Sequence, residues 1–401
     1  MKAIINIVRF PVGILFIFSG LVKAIDPLGL SYKMQEFFEL WGMASFNEHT
    51  LRMSVIMIAF EIIAGFALLL GWKMKLFSWL LLLLIIFFTF LTGYAYLSGK
   101  FKNCGCFGDC IPITPLTSFI KDIVLLALIL LLFFYRNKIK PIFSGWLNGF
   151  LMLLVTVAGF GLQFYVLKHL PVVDCLPFKK GNNISEKMKM PANAIPDSVV
   201  MTFVYEKEGN KVEFTADKFP DDFNDSLYTF IDRYDKLVRK GKNNEPPIKG
   251  FSLSGITNID STGIILTMPY TLILFEEKPT ENIDNWEEQF FSIDDAAGKN
   301  NIPLFIVTTS IDEFLLKRKG ELRWTEKPIL KCDFTAIRSA ARANPTLYLL
   351  KNGTIKGKWS YADFGKAYEE IKNIPVQPSL PITDTLVRVD SPGKENVPEK
   401  N

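Results

Sequence analysis

Residues 76–97 read LFSWLLLLLIIFFTFLTGYAYL, a run of 22 residues without a charge. A helix needs about 20 mostly apolar residues to cross the hydrocarbon core of a bilayer. The run therefore predicts a transmembrane helix. Four further runs of similar length and composition lie in the same part of the chain, and they predict spans at 4–25, 51–71, 117–135 and 146–167.

The composition divides the chain into two halves. Of the 401 residues, 49% are hydrophobic and 21% are charged, and the apolar residues crowd into the first 170 positions. This asymmetry predicts a membrane half, in contact with the lipid bilayer, followed by a soluble half. A net charge of +4 without a Lys/Arg-rich run gives no indication of a nucleic-acid partner. With only His49 and His169 in the chain, a bis-His haem is nearly excluded and little is left for a His-rich metal site, so no metal is expected.

The short loops predict the orientation in the membrane. The loops at 72–75 and 136–140 carry Lys or Arg and no acid, which is typical of cytoplasmic loops. With five spans, residues 169–401 then lie on the opposite face, together with the loop 98–116. The predicted location is the inner (cytoplasmic) membrane, with a cytoplasmic N-terminus and a periplasmic C-terminal half. A signal peptide is the alternative for the first run, but its length and the lack of an A-x-A-like site favour a span.

Two of the charged residues in the predicted spans lie well away from the span ends. Arg9 is about two turns into the first span, and Glu61 is near the middle of the second. Ionisable groups in a bilayer are costly and usually mark an ion pair or a functional site. A contact between Arg9 and Glu61 is therefore expected. It would either hold the helices together or anchor the head group of a quinone or substrate.

Three cysteines follow the third span within seven residues. Cys104, Cys106 and Cys110 are separated by glycines, which allow the tight backbone that adjacent thiols need. A C-x-C disulfide closes a strained ring, and strained disulfides tend to be more oxidising. Lys100 and Lys102 lie just upstream and are expected to lower a thiol pKa. The pattern makes the three cysteines candidate redox thiols, with Cys110 as a resolving thiol.

Two other uses of these cysteines stay open. A structural zinc site would take the three thiols and a fourth ligand, either Cys175 or Asp109. A structural disulfide would simply close the loop. Cys332 lies far along the chain and is expected to be a small buried apolar residue, with a Cys175–Cys332 bond as the alternative.

The membrane half carries three strings that point to one family. The first span contains R-x3-G, S-G and K-x2-D-P within residues 9–27, the second contains E-I-I-A-G at 61–65, and C-G-C-F-G-D follows the third at 104–109. Together they resemble the DoxX family, and specifically its MauE-like (methylamine-utilisation) branch. The resemblance implies a four-helix membrane domain over residues 1–140 and a role in forming disulfides outside the cytoplasm. It also implies a quinone as the candidate cofactor, at Arg9 and Glu61.

The soluble half begins after the fifth transmembrane helix, which occupies residues 141–168. Residues 169–244 are expected to form a linker lying against the membrane, then a β-hairpin with its turn at Gly209-Asn210, then a short helix over 223–239. From residue 270 the chain alternates strand and helix patterns, which is typical of an α/β domain. Residues 375–401 are rich in Pro, Ser and charge, and a disordered tail is expected there.

The α/β part, residues 245–374, resembles a thioredoxin-fold domain. Asn344-Pro345 followed by a strand and the Asn352-Gly353 turn is similar to the cis-proline loop and the last two strands of that family. The departure lies after the strand ending at Phe275, where thioredoxins carry C-x-x-C and residues 276–282 contain no Cys. The reactive thiol at the helix N-terminus is therefore missing. The resemblance implies a binding or docking module.

The sequence thus predicts an all-α membrane bundle, with four DoxX/MauE-like helices and a fifth span, followed by an extracytoplasmic thioredoxin-like α/β domain. The predicted function is extracytoplasmic thiol–disulfide exchange linked to a quinone, which makes the protein a candidate oxidoreductase acting on an envelope client. The alternative is a non-enzymatic membrane scaffold whose degenerate domain docks an envelope protein.

Overall fold

The computed structural model describes residues 2–101, 103–239, 241–279, 283, 285–319 and 321–378. Of the predicted disordered tail, only residues 375–378 fall within this range, and Lys102 lies outside it. The described chain forms a bundle of long helices as far as His169, then a three-stranded sheet and a five-stranded α/β unit.

The five predicted spans are confirmed as helices. They are α1 (Lys2–Ala24), α3 (Thr50–Leu70), α4 (Met74–Ser98), α5 (Pro115–Phe134) and α6 (Gly145–His169). Each boundary lies within two residues of its predicted position. Over the residues that the structure describes, these are the five helices long and apolar enough to cross a membrane. The N-terminal part is a membrane helical bundle.

The helices α1 and α3 pack closely because glycines face each other. A Cβ on Gly65 would lie 2.9 Å from the carbonyl oxygen of Gly13, so a side chain at either position would push the helices apart. Small residues allow this approach of backbones in a membrane bundle. Arg9 contacts Leu69 and Lys23 contacts Glu61, so the two helices run antiparallel.

A helix that the sequence analysis missed follows the first span. The helix α2 (Pro27–Leu40) starts because the Asp26 side chain accepts a hydrogen bond from the Gly29 amide and Pro27 stands at the first turn. It packs against α3, and its buried Phe37 stacks on Phe101 at a ring distance of 4.2 Å. The polar residues of α2 obscured its pattern, although the Asp-Pro start is a recognisable helix signal.

The linker packs into the soluble part. Phe178 and Ile184, the latter in the short helix α7 (Ile184–Lys187), are fully buried in the core of the α/β unit. The prediction that this stretch lies against the membrane is therefore wrong. Its apolar residues are covered by the α/β unit, which buries them more completely than a membrane surface would.

Three antiparallel strands follow: β1 (Ser198–Lys207), β2 (Asn210–Thr215) and β3 (Thr229–Arg239), in the order β2-β1-β3. The predicted hairpin is confirmed. The predicted helix over 223–239 is wrong, because β3 pairs with β1 along most of its length. Its aromatic and β-branched residues suit a pleated strand, and pairing overrides a weak local helix preference.

The second sheet has the order β6-β5-β4-β7-β8. Its strands are β4 (Thr271–Glu276), β5 (Leu304–Thr308), β6 (Ile329–Lys331), β7 (Thr346–Lys351) and β8 (Thr354–Ser360). The first three are parallel, while β7 and β8 are antiparallel to their neighbours. The helices around this sheet are α8 (Thr262–Thr267), α9 (Glu287–Lys299), α10 (Ile311–Lys317), α11 (Leu322–Thr325), α12 (Phe334–Ala340) and α13 (Phe364–Ile371).

The central strand β4 is buried on both faces and separates two cores. Leu272 and Leu274 face the core that contains Trp324, while Ile273 and Phe275 face the other. Cys332 is buried in the second core and is not bonded, so its predicted role as a small apolar residue is confirmed. The alternative bond from Cys332 to Cys175 is wrong.

Replacing Trp324 should destabilise the α/β unit strongly. Its ring is 0% exposed and stacks on Phe290 at 4.9 Å. We expect Trp324→Ala to lower the free energy of unfolding by about 3–5 kcal/mol, because it leaves a large cavity. Leu322 in the same helix is 72% exposed, so Leu322→Ala should change the free energy of unfolding by less than about 0.5 kcal/mol. Near-UV circular dichroism of the full chain during denaturation measures the free energy of unfolding of both variants. Equal losses in the two variants would contradict the described packing of Trp324.

Candidate functional site

The five cysteines fall into three groups. Cys110 forms a disulfide with Cys175, with a Cα–Cα distance of 4.9 Å across 65 residues of chain. Cys104 and Cys106 are free and half-buried. The alternative of a disulfide within the loop differs from this arrangement, because the linker after α6 passes the loop and supplies the partner of Cys110. Cys110 could act as a resolving thiol only after this bond opens.

Two glycines give the cysteine loop its shape. Gly105 and Gly108 adopt left-handed backbone angles, with φ of 66° and 58°, and the Gly108 amide donates to the Gly105 carbonyl at 3.0 Å. A residue with a Cβ would be strained at either position. The resulting turn places Cys104 and Cys106 on the wall of one cavity.

This cavity has a volume of ≈ 90 Å³ and lies where α1, α2, α3 and α4 meet the cysteine loop. Its lining is mostly apolar and rich in aromatic rings and methionines, including Met34, Phe37, Trp41, Met53, Phe87 and Phe88. An apolar pocket with a few convergent polar groups is the usual form of a small-molecule site. Here the polar groups stand at the end that holds the thiols.

The first polar group is a buried ion pair between Lys23 and Glu61. The Ser19 hydroxyl lies 3.1 Å from a Glu61 carboxylate oxygen and 3.1 Å from the Cys106 carbonyl oxygen. It therefore connects the ion pair to the cysteine loop. The partner of Glu61 in α1 is Lys23, which the sequence analysis noted only as part of the K-x2-D-P string.

The predicted contact between Arg9 and Glu61 is wrong. The Arg9 guanidinium donates to the Leu69 carbonyl at 3.0 Å. Because α1 and α3 run antiparallel, Arg9 lies opposite Leu69, whereas Glu61 lies opposite Ser19 and Lys23. At 1.5 Å per residue, Arg9 and Lys23 are about 21 Å apart along α1. The structure therefore separates the two residues proposed as a quinone site, and Arg9 does not line the cavity.

The second polar group is the pair of Lys121 and Asp122 in α5, 2.6 Å apart. Asp122 is fully buried and also accepts a hydrogen bond from the Thr92 hydroxyl at 3.0 Å. Lys121 lines the cavity and interacts electrostatically with Cys106. The sequence analysis missed Lys121, although a Lys-Asp pair near the end of a span is a visible signal.

The two thiols are held in their protonated form. Burial raises the pKa of Cys104 to about 11, and the neighbouring Cys106 adds to the increase. Burial also raises the pKa of Cys106, although Lys121 opposes this change. The expected decrease of the thiol pKa is therefore wrong for this conformation, because desolvation outweighs the nearby cation of Lys121. Of the two lysines to which this decrease was assigned, Lys102 lies outside the described residues.

The soluble part docks onto this site through Arg342, which follows α12. Its guanidinium lies 2.8 Å from Asp26 at the start of α2 and 2.9 Å from Asp109 in the cysteine loop. Burial alone would lower the Arg342 pKa, but the two carboxylates outweigh this effect and the pKa is raised. One buried cation therefore connects the α/β unit to both α2 and the cysteine loop.

A second arginine extends the contact. Arg338 in α12 pairs with Glu277 at 2.7 Å and donates to the Gln35 side chain in α2 at 2.8 Å. The Tyr32 ring of α2 lies under both arginines, at 4.6 and 5.3 Å. Glu277 directly follows β4, so the C-terminal end of this central strand faces the bundle.

Comparison with known proteins supports the identification of the membrane half. Residues 1–135 match the family model described as methylamine utilisation protein MauE, which confirms that part of the predicted resemblance. Residues 199–240 match a domain of unknown function, DUF8463. Protein TlpB of Flavobacterium psychrophilum is 27% identical over 202 residues, covering 49% of this chain and 54% of that protein. The chain thus aligns with about half the length of this curated relative. No solved structure matches the chain.

The raised thiol pKa predicts slow alkylation of reduced Cys104. We expect its rate with iodoacetamide to rise about tenfold for each pH unit between about pH 7 and 10, because only the thiolate reacts. The alkylation rate of glutathione, an exposed thiol, should stop rising with pH near the pKa of glutathione itself. Site-resolved mass spectrometry measures the rate at Cys104, and a plateau below about pH 9 would contradict the burial described.

Removing the Arg342 charge should release the cysteine loop. Arg342→Met leaves Asp26 and Asp109 facing each other, and we expect a loss of about 3 kcal/mol in docking free energy. This is the lower end for a buried pair, because Asp109 is 28% exposed. Amide hydrogen exchange in residues 103–110 should increase. Arg323→Met, which breaks an exposed pair with Asp295, is the matched control. Unchanged exchange in Arg342→Met would contradict the assigned role.

Proposed function

We propose that this protein is a membrane-embedded thiol–disulfide oxidoreductase whose exchanging groups are Cys104 and Cys106. One observation carries the proposal: these two free thiols lie on the wall of an apolar cavity in the bundle, beside two buried ion pairs. The other three cysteines are bonded to each other or buried in the core of the α/β unit. They do not face the cavity.

In the proposed reaction, a Cys104–Cys106 disulfide oxidises a client dithiol. A client thiolate attacks one loop sulfur and the S–S bond breaks. The second client thiol then attacks the mixed disulfide and releases the loop sulfur. The client thereby gains its disulfide, and the loop is left with two thiols. The loop thus takes up two electrons and two protons. The C-x-C spacing suits the oxidant role, because a strained ring favours opening.

The cavity supports a quinone as the acceptor that regenerates the disulfide. A quinone bound there would take the two electrons and two protons released when the loop thiols close into a disulfide. Its ring would lie among the side chains of Phe37, Trp41 and Phe88, near the polar groups of Ser19 and Lys23. This assignment replaces the Arg9–Glu61 site. Glu61 stays connected to it through its contacts with Ser19 and Lys23.

The Lys121–Asp122 pair is placed to handle the thiol protons. Lys121 lines the cavity, interacts with Cys106 more strongly than Lys23 does, and pairs with the buried Asp122. A thiol with a raised pKa releases its proton only when a base accepts it. We assign that role to the Asp122 carboxylate, while the Lys121 ammonium stabilises the thiolate that forms, which couples proton release to electron release. The raised thiol pKa thus suits an acceptor that takes protons together with electrons.

The α/β unit acts as the docking module of this proposal. The strand order β6-β5-β4-β7-β8 and the cis Asn344–Pro345 peptide support a thioredoxin-like fold. Where a thioredoxin carries its thiols, the end of β4 carries Glu276 and Glu277 and faces α2. We propose that the domain covers the cysteine loop on the extracytoplasmic (periplasmic) side of the inner membrane, with the N-terminus in the cytoplasm, and receives an envelope client there.

A non-enzymatic scaffold is the second candidate. The thiols are protonated and the α/β unit is docked over the loop, which also suits a resting assembly platform. In that case the Cys110–Cys175 bond would be the functional disulfide, serving only to hold the linker on the bundle. The two candidates differ in whether Cys104 and Cys106 are needed.

The proposal predicts that both loop thiols are essential for turnover. Purified protein supplied with a dithiol and a short-chain quinone should reduce the quinone. We expect Cys106→Ser and Cys104→Ser each to lower this rate to that of the uncatalysed mixture, because a single thiol cannot form the loop disulfide. Quinone absorbance measures the rate. Cys332→Ser is the matched control and should keep its activity, because Cys332 is buried away from the cavity.

A trapping experiment separates the two candidates in cells. In Cys106→Ser or Cys104→Ser the remaining thiol should attack the disulfide of an oxidised client and stay joined to it, because the loop thiol that would resolve the mixed disulfide is missing. The mixed disulfide should be visible on a non-reducing gel and lost on reduction. Normal client oxidation in the double Ser variant would refute the exchange reaction and favour the scaffold.

A further inference from the structure

The strand β3 is the free edge of the three-stranded sheet. It pairs with β1 along one side, and all eleven of its residues are exposed. A strand at a sheet edge presents a row of unpaired N–H and C=O groups, which is a template for another strand. Edge strands of stable monomers are often short or interrupted by proline or bulges. The strand β3 contains no proline, and between its irregularities at Ile231 and Val238 it keeps a regular stretch from Asp232 to Leu237.

The sequence of β3 is complementary to itself. It reads TFIDRYDKLVR, and when two copies run antiparallel about Tyr234, four of its five charges meet an opposite charge. Asp232 lies across from Lys236, and Arg233 lies across from Asp235. Opposite charges directly across a sheet stabilise the pairing, and like charges destabilise it. The pairing of β1 with β3 is regular from Asp232 to Leu237, so these residues alternate between the two faces of the sheet.

The neighbouring registers do not share this property. Moving the centre of pairing to Arg233 sets that arginine against its own copy and Asp232 against Tyr234. Moving the centre to Asp235 sets two aspartates against each other and Arg233 against Leu237. Within the regular stretch from Asp232 to Leu237, only the register about Tyr234 sets each charge against its opposite. The charge pattern therefore selects one register.

The charges are available for such a contact. Among the described residues, no salt bridge joins Asp232, Arg233, Asp235 or Lys236 to another side chain. The Tyr234 hydroxyl donates to Glu213 of β2 at 2.7 Å, which keeps its ring on the sheet and leaves the strand edge open. Residues 199–240 also match a separate family model, so this sheet is a unit distinct from the bundle.

We propose that β3 is a homodimerisation strand. Two copies of the chain pair their β3 strands antiparallel about a two-fold axis through Tyr234, which joins the two sheets into one of six strands. The interface is isologous, because both copies use the same strand: where one residue contacts a second residue of the partner, that second residue contacts the first one of the partner. This proposal is independent of the redox reaction and does not require the loop thiols.

Charge reversal tests the register in the full chain, reconstituted in nanodiscs large enough for two copies or held in detergent. Asp232→Lys and Lys236→Asp each convert two attractive pairs into repulsive ones, so each should raise the dimer dissociation constant by about tenfold or more. Mass photometry and light scattering measure it. The double variant Asp232→Lys/Lys236→Asp should recover the dimer.

A mixture of the two single variants gives the stricter test of the register. One then carries two lysines and the other two aspartates at the paired positions, so a heterodimer should form where neither variant dimerises alone. Failure to form it, a monomeric wild-type chain, or unchanged dimers in the single variants would each overturn the proposal.

A crosslink locates the axis. In the proposed register Tyr234 lies across from its own copy, and opposed residues of antiparallel strands have Cα atoms about 4.5–5.5 Å apart. This spacing fits a disulfide, so Tyr234→Cys should form covalent dimers under mild oxidation. The wild-type chain shows the background from the native thiols, and Lys211→Cys on β2 reports on the opposite edge of the sheet. Crosslinking through Lys211→Cys and not through Tyr234→Cys would refute β3 pairing.

Discussion

The contact between Arg342 and the two carboxylates of Asp26 and Asp109 is the constraint on which the candidate site depends. Asp26 starts α2, Asp109 belongs to the cysteine loop, and Arg342 comes from the α/β unit. Without the cation, two acids would face each other in a half-buried place, which is unfavourable. The same interaction therefore fixes the start of α2, which lines the cavity, and holds the cysteine loop against the bundle.

The membrane bundle was largely predictable, because the length of an apolar run is a local property of the sequence. The cysteine loop was also found from its spacing. What failed depends on packing. The pairing of Glu61 with Lys23 follows from the antiparallel register of α1 and α3, and the raised thiol pKa follows from burial. Both appear only when helices meet. The strand β3 was misread as a helix because its partner β1 lies more than twenty residues earlier.

The site combines elements that are distant in sequence. Helix α1 supplies Ser19 and Lys23, α3 supplies Glu61, and α5 supplies Lys121 and Asp122. Glu61 and Asp122 each have a cation beside them, so neither of these two carboxylates is left unpaired in the apolar interior. The cavity can therefore contain polar groups beside the thiols without a large desolvation penalty.

The bond between Cys110 and Cys175 has a consequence for docking kinetics. It ties the beginning of the linker to the cysteine loop, and Asp174 beside it pairs with Lys358 of the α/β unit. If the Arg342 contact opens to admit a client, the unit stays within a linker length of its seat. Rebinding of the α/β unit to the bundle is then an intramolecular step, with an effective local concentration on the order of millimolar. The α/β unit can therefore leave the bundle repeatedly and still be bound to it most of the time.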